Sequence, residues 1–183
     1  IYRVQDTPEG LPELDPDVYD PILFEQAIKC MRKSRLSLHP QSHGGLGADF
    51  YTQLTSPIRR YTDLIMQRQL AAYLQERPLP YEAEELMAVI SAAEAVNADV
   101  RDVQRQAENY WLHLYVENIF LEKTLEATVI SKAPGGYMIE LDEIFYKTRM
   151  AIQDKKQPGD RIEVRVDKVK PRQSIMQLVL QSG

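Results

Sequence analysis

The spacing of hydrophobic positions changes once along the chain, and the change marks its organisation. Up to about residue 120 the recurring apolar residues stand three or four apart. Leu23, Ala27 and Met31 step by four behind Asp20-Pro21. Asp suits an N-cap and Pro the first helical position, so a helix is predicted from 21 to about 34. Lys29, Arg32 and Lys33 lie near its end, where the helix dipole favours cations. Ser56-Pro57 is a second start signal, for a helix running to about Gln75. After the loop Arg77-Pro78-Leu79-Pro80, a further helix is predicted from Glu82 to about Ile90. Ser91-Ala92-Ala93-Glu94 reads as a capping box that resets or kinks it. Val96, Val100, Val103, Ala107, Tyr110, Trp111 and Leu114 then carry a long amphipathic helix to near Phe120. Trp111 is expected in the core, and His113 at the surface or with its ring satisfied.

Two stretches show no helical period. Ile1–Val4 is predicted as a strand, after which Pro8, Gly10, Pro12 and Pro16 break any regular pattern. Residues 36–55 hold Gly44-Gly45-Leu46-Gly47 between polar residues, then Phe50–Thr55, a short strand or an extended approach to the next helix.

From residue 122 the period is two. Leu125, Thr128 and Ile130 mark one strand and Tyr137–Leu141 a second across the turn Pro134-Gly135-Gly136. Phe145 with Met150–Ile152 suggests a third. Gln157-Pro158-Gly159-Asp160 is a turn signal. Arg161–Asp167 alternates as a half-buried strand should, and Ile175–Leu180 closes the set. Five short strands in about 60 residues suggest a small OB-type barrel. The boundary is expected near Leu121-Glu122, giving domains 1–121 and 122–183.

Composition narrows the classes. The 183 residues are 44% hydrophobic and 27% charged, as in globular proteins. No apolar run approaches the roughly 18 residues of a membrane helix, so no membrane partner is expected. One cysteine, Cys30, excludes an internal disulfide framework and a cysteine-built zinc site. The chain opens on Ile1 in mid-pattern and reads as a piece of a longer polypeptide. Net charge is −5, but residues 122–183 carry 11 Lys+Arg against 9 Asp+Glu. The acidic excess therefore lies in residues 1–121, and the two parts are expected to differ in job.

The sharpest chemical signal is Thr55-Ser56-Pro57-Ile58-Arg59-Arg60-Tyr61-Thr62-Asp63. With Ser56 as N-cap, Arg59 takes the third helical position, which normally favours Glu. Two cations in a first turn oppose the dipole by about 0.3–1 kcal/mol each. Either they pair with carboxylates of this acidic part, or the helix end and its arginines form a phosphate site.

The surroundings are more specific. His43-Gly44-Gly45-Leu46-Gly47, then Tyr51, then Thr55–Leu64 resembles the RNB catalytic domain of the ribonuclease II and R family, in element order and spacing. Met31-Arg32-Lys33-Ser34 and Tyr2-Arg3-Val4 match that family too. The resemblance covers about residues 1–120, with a pattern nearest the cyanobacterial and organellar branch. It implies an α+β fold: the helical C-terminal part of an RNB domain, then a five-stranded OB-type RNA-binding barrel.

The activity it implies is processive 3′→5′ hydrolysis of single-stranded RNA to nucleoside 5′-monophosphates. Arg59 would be the catalytic residue, clamping the scissile phosphate. Ser56, Arg60, Tyr61, His43, Tyr51 and Thr55 would contact RNA or phosphate, with His43, Tyr51 and Tyr61 equally open to a structural role. Magnesium would be the cofactor, on aspartates outside this chain. Asp15, Asp17 and Asp20 are separated by prolines and read as a turn-rich loop, so no metal ligand is assigned here. The run Gln104–Trp111 departs from the family pattern and leaves Glu108 without a defined role. In the barrel, Tyr137 and Phe145 either stack on bases or fill the core. The expected partners are single-stranded RNA and the remainder of the parent polypeptide, in a cytoplasmic (alternatively organellar) monomer. The alternative reading is a non-catalytic RNA-binding module on a degenerate nuclease scaffold.

Overall fold

The computed structural model describes residues 1–181. The chain divides into two compact units. One combines Ile1–Leu11 with Lys29–Arg101, the other Pro12–Ile28 with the chain from Asp102 onward. Among the described residues no helix is long and apolar enough to cross a membrane.

In the first unit β1 (Tyr2–Val4) pairs antiparallel with β2 (Arg35–Ser37), with Arg3 opposite Leu36. The expected strand at the N-terminus is present; its partner β2 had no periodic signal, being three residues long. Phe50–Thr55 is not a strand. It runs extended beside β1, where the Arg3 N–H donates to the Tyr51 carbonyl at 2.8 Å and the Thr52 hydroxyl to the Ile1 carbonyl at 2.7 Å.

The glycine-rich loop is held by Gln5. Its amide nitrogen donates to the Arg32 carbonyl, its amide oxygen accepts from the Gly45 N–H, and its backbone carbonyl accepts from the Gly44 N–H. A Cβ on Gly44 would lie 2.5 Å from the Thr7 Cα. Only glycine allows this backbone approach.

Helix α2 spans Tyr61–Leu74, so the start predicted at Ser56-Pro57 is corrected by about one turn. The N–H groups of Arg59 and Arg60 both donate to the Ser56 carbonyl, which closes a tight turn ahead of the helix. Pro57 suits that turn as well as it suits a first helical position, and this is why the sequence misleads. Arg60, not Ser56, takes the N-cap position, and its side chain does not cap. Asp63, the third helical residue, reaches back instead. Its Oδ2 accepts from the Ser56 N–H at 2.9 Å.

Helix α3 runs unbroken from Ala83 to Phe120. The predicted reset at Ser91–Glu94 does not occur. Nothing there breaks a helix, and alanine is the best helix former. Helix α1 spans Pro21–Cys30, with the Asp20 carboxylate accepting from the N–H groups of Ile22 and Leu23 as its cap.

The second unit is built on a curled five-stranded antiparallel sheet in the order β5-β4-β3-β6-β7. Its strands are β3 (Thr124–Ala133), β4 (Gly136–Leu141), β5 (Tyr146–Met150), β6 (Arg161–Lys170) and β7 (Ile175–Leu180). The five strands expected after residue 122 are present, in OB-type arrangement. Leu125, Ala127, Val129, Ile139, Leu141, Ile162, Val164 and Val166 point inward and close on Val116 of α3. Register shifts between Val129 and Ser131 and between Val166 and Lys168 let the sheet curl.

Here α3 turns His113 and Val116 inward. Trp111, two residues away, is 65% exposed, which corrects its predicted place in the core. The inward face follows the 113–116–120 step, which a tryptophan at 111 cannot share. His113 is 1% exposed, so it is not a surface residue either. Its Nε2 lies 3.3 Å from the Tyr146 hydroxyl, and its Nδ1 has no partner.

Residues 12–28 join this unit through polar contacts. The Tyr19 hydroxyl donates to the buried Glu140 at 2.9 Å, and Lys147 bonds Glu25 at 2.8 Å. Burial and that carboxylate push the Tyr19 hydroxyl up to about 12.

Two outcomes follow. Gly136 has φ +155, and a Cβ there would run into the Met150 carbonyl of β5. Gly136→Ala should destabilise the protein by about 2 kcal/mol or more in urea unfolding. Burial also pushes His113 below its ordinary 6.5. The unfolded chain therefore takes up this proton first. Stability is full above pH 6.5 and falls as pH drops from there through the lowered folded value. His113→Gln should flatten that fall when urea midpoints are compared between pH 7.5 and 5.

Candidate functional site

The turn before α2 sorts its two arginines by partner. Arg60 directs Nε and Nη2 at the Asp63 Oδ2, at 3.1 and 2.9 Å, with Nη2 also 3.4 Å from the Thr55 hydroxyl. Asp63 is 0% exposed. A buried carboxylate needs such a partner, because one left unpaired carries its full desolvation cost. The Arg59 side chain is exposed and has no hydrogen-bond or ion-pair partner among the described residues. Of the two readings open for these cations, internal pairing describes Arg60, and Arg59 stays available to an external anion.

Arg59, Arg60, Tyr61 and Thr62 line one side of an open cleft of about 230 Å³. Ala92, Ala93, Val96 and Asn97 of α3 form the other. Tyr61, 56% exposed, and Thr62 open α2, where the first N–H groups lack helical acceptors. A planar guanidinium beside a helix N-terminus over a small-residue wall suits a phosphate oxygen.

The other sequence candidates lie differently. The Ser56 N–H is taken by Asp63, and Thr55 faces solvent beside Arg60. His43 and Tyr51 do not line this cleft. They stack edge-to-face at 5.4 Å in the loop held by Gln5, with His43 buried and its Nδ1 unpartnered. In the second unit Tyr137 is buried, its hydroxyl accepting from the Lys156 N–H. Phe145 is 65% exposed at a positive φ of 51°, edge-on to Tyr19 at 5.3 Å. Tyr137 thus fills the core, and Phe145 offers a stacking face.

Reading the sequence missed the clamp. Asp63 stands in the motif without an evident role, although an acid at the third helical position is itself a helix-start signal. The α3 wall had no local signal. The described residues include no group of three or more His, Cys, Asp or Glu that could hold a metal. Asp15 accepts from the Asp17 N–H, and Asp20 caps α1.

Residues 5–76 match the family model of the RNB domain. The chain is 31% identical over 145 residues to an uncharacterised ribonuclease of Synechocystis, a match covering 78% of this chain and 22% of that protein. It is 30% identical over 159 residues to the chloroplastic/mitochondrial ribonuclease II of Arabidopsis thaliana, covering 85% and 20%. The chain thus spans about a fifth of these relatives' length. Its fold is similar to that of Mycoplasma genitalium RNase R in complex with ribose-methylated single-stranded RNA. That match has a TM-score of 0.76 at 19% identity, over 98% of this chain and 37% of that one. It is also similar to the Dss1 exoribonuclease of Candida glabrata, with a TM-score of 0.77 at 22% identity over 97% and 25%. The motif around Arg59, the strand set that follows and these likenesses agree: the chain belongs to the RNB family of ribonucleases II and R.

Proposed function

We propose that the parent polypeptide is an exoribonuclease that hydrolyses single-stranded RNA processively from its 3′ end, releasing nucleoside 5′-monophosphates. Residues 1–121 supply the last part of its catalytic domain, and residues 122–183 the RNA-binding barrel. The observation that carries this reading is the unpartnered Arg59 on a turn locked from below by Asp63. The family likeness and the complexes of its structural neighbours with single- and double-stranded RNA support RNA as the ligand. We place the protein in the cytoplasm as a monomer, with an organelle as the alternative suggested by its chloroplastic/mitochondrial relative.

The chemistry asked of this chain is electrostatic. As the phosphodiester is attacked, negative charge grows on its non-bridging oxygens. The Arg59 fork meets two of them at once and needs no reorganisation, because the Ser56 carbonyl and Asp63 hold the turn. Arg60 neutralises Asp63, so the carboxylate does not oppose the incoming phosphate. Its remaining nitrogen and the helix-end N–H groups hold the same or the next phosphate. Magnesium, held by carboxylates outside these residues, would supply activation of the attacking water.

Two results test the reading. In the full-length enzyme Arg59→Ala should lower turnover about 10²–10³-fold, the scale of a single electrostatic donor. Its melting temperature should stay within a degree or two, because Arg59 has no internal partner to lose. Arg59→Lys should recover only part of the rate, since a point charge cannot form the fork. A falling melting temperature with normal turnover would make Arg59 structural. Separately, these 183 residues alone, with magnesium and labelled single-stranded RNA, should leave the RNA intact on a gel. Stepwise shortening from the 3′ end would place the metal ligands within this chain.

A further inference from the structure

A second basic cleft, of about 270 Å³, lies in the same unit as Arg59. It is lined by Arg3 of β1, Lys33, Arg35 of β2, and Glu94, Asn97 and Arg101 of α3. Arg35 is engaged elsewhere, its Nη2 donating to Gln41 at 2.9 Å and its Nη1 facing Asp6 at 3.4 Å. Glu94, the only acid in the lining, accepts from the Leu36 N–H at 3.4 Å. The side chains of Arg3, Lys33 and Arg101 have no hydrogen-bond or ion-pair partner among the described residues. Three unpaired cations around one concavity repel each other, and an anion removes that repulsion.

The position of the cleft says which anion. Asn97 lines this cleft and the Arg59 cleft alike. Ala92, Ala93 and Val96 on one side of α3 and Ala98 and Arg101 on the next therefore form adjoining walls. A ligand with one charge fills one cleft. A ligand with charges repeated along a chain fills both. We infer that the cleft of Arg3, Lys33 and Arg101 is a second phosphate site, taking the backbone of the RNA strand whose scissile phosphate lies at Arg59. This rests on the function proposed above. Recognition by these cations is of the backbone, so it is expected to be independent of sequence.

The test uses the 183-residue chain in chelator, with fluorescence anisotropy of a labelled twelve-nucleotide single-stranded RNA over a range of salt. The double variant Arg3→Gln/Arg101→Gln should weaken binding roughly tenfold at low salt. It should also reduce the slope of log affinity against log salt by about 1.4, or 0.7 per lost phosphate contact on a single strand. Lys33→Gln, at an exposed position, should give about half that slope change and guards against misfolding of the double variant. Arg77→Gln removes one charge away from both clefts and should change the slope little. Unchanged affinity and slope in the double variant, with a loss in Arg59→Gln, overturns the second site and leaves the RNA reading standing. An equal loss in Arg77→Gln overturns it too, as an effect of net charge. No binding by the unaltered chain overturns the site and the RNA reading of this chain together. Competition by nucleoside 5′-monophosphate or inorganic phosphate as strong as by unlabelled twelve-mer would assign the cleft to a free phosphate and overturn the strand.

Discussion

One buried carboxylate decides what the neighbouring arginines can do. Asp63 lies beneath the turn Ser56–Arg60 and accepts from both the Ser56 N–H and the Arg60 guanidinium. Without it, the turn loses its anchor seven residues away and Arg60 loses its counter-charge. With it, Arg60 becomes part of the scaffold and Arg59 is left facing outward. Two adjacent residues of identical chemistry thereby acquire different jobs. Breaking a buried pair by removing one partner typically costs about 3–5 kcal/mol. The turn thus depends on a residue that never touches the proposed ligand.

The second unit solves a different problem. Its sheet curls on an apolar interior closed by Val116, and Glu140 and one nitrogen of His113, drawn in with it, find partners. Glu140 is held by Tyr19 with Lys147 at 3.9 Å, and His113 by Tyr146. Segment 12–28, which the sequence offers as loop and helix, attaches there through Tyr19 and Glu25. Packing also sorts the aromatics. Tyr137 goes inward with the core, whereas Phe145 and Trp111 remain on the surface. If bases stack on this unit, these exposed faces are what it offers, since every base carries a π-face.

In the first unit cations are divided between scaffold and surface. Arg35 and Arg60 are bound to side chains of their own unit. Arg3, Lys33, Arg59 and Arg101 line the two clefts that share Asn97. The net charge of −5 gives no hint of this. Backbone recognition depends on where a few unpaired cations stand, and a distributed acidic surface leaves those local fields intact over a Debye length of about 8 Å at physiological salt.

Several features were legible in the residues alone because their physics is local. The Asp20-Pro21 cap, the change of period after residue 122, the turns at Pro134–Gly136 and Gln157–Asp160, and the arginine motif each act within a few residues. Tertiary structure decided the rest. Ser56-Pro57 satisfies both a helix start and a tight turn, and only Asp63 folding back selects the turn. Ser91–Glu94 satisfies both a cap and a helix interior, and α3 continues because no chain reversal is required there. Trp111 and His113 both fit an apolar period, and the sheet beneath them chose the face that carries Val116. Arg3, Lys33 and Arg101 are separated by up to 98 positions in the sequence and meet only because β1 pairs with β2 beside α3. A residue's own conformational preference is set by its neighbours in the chain, but its partner is set by what the fold brings within reach.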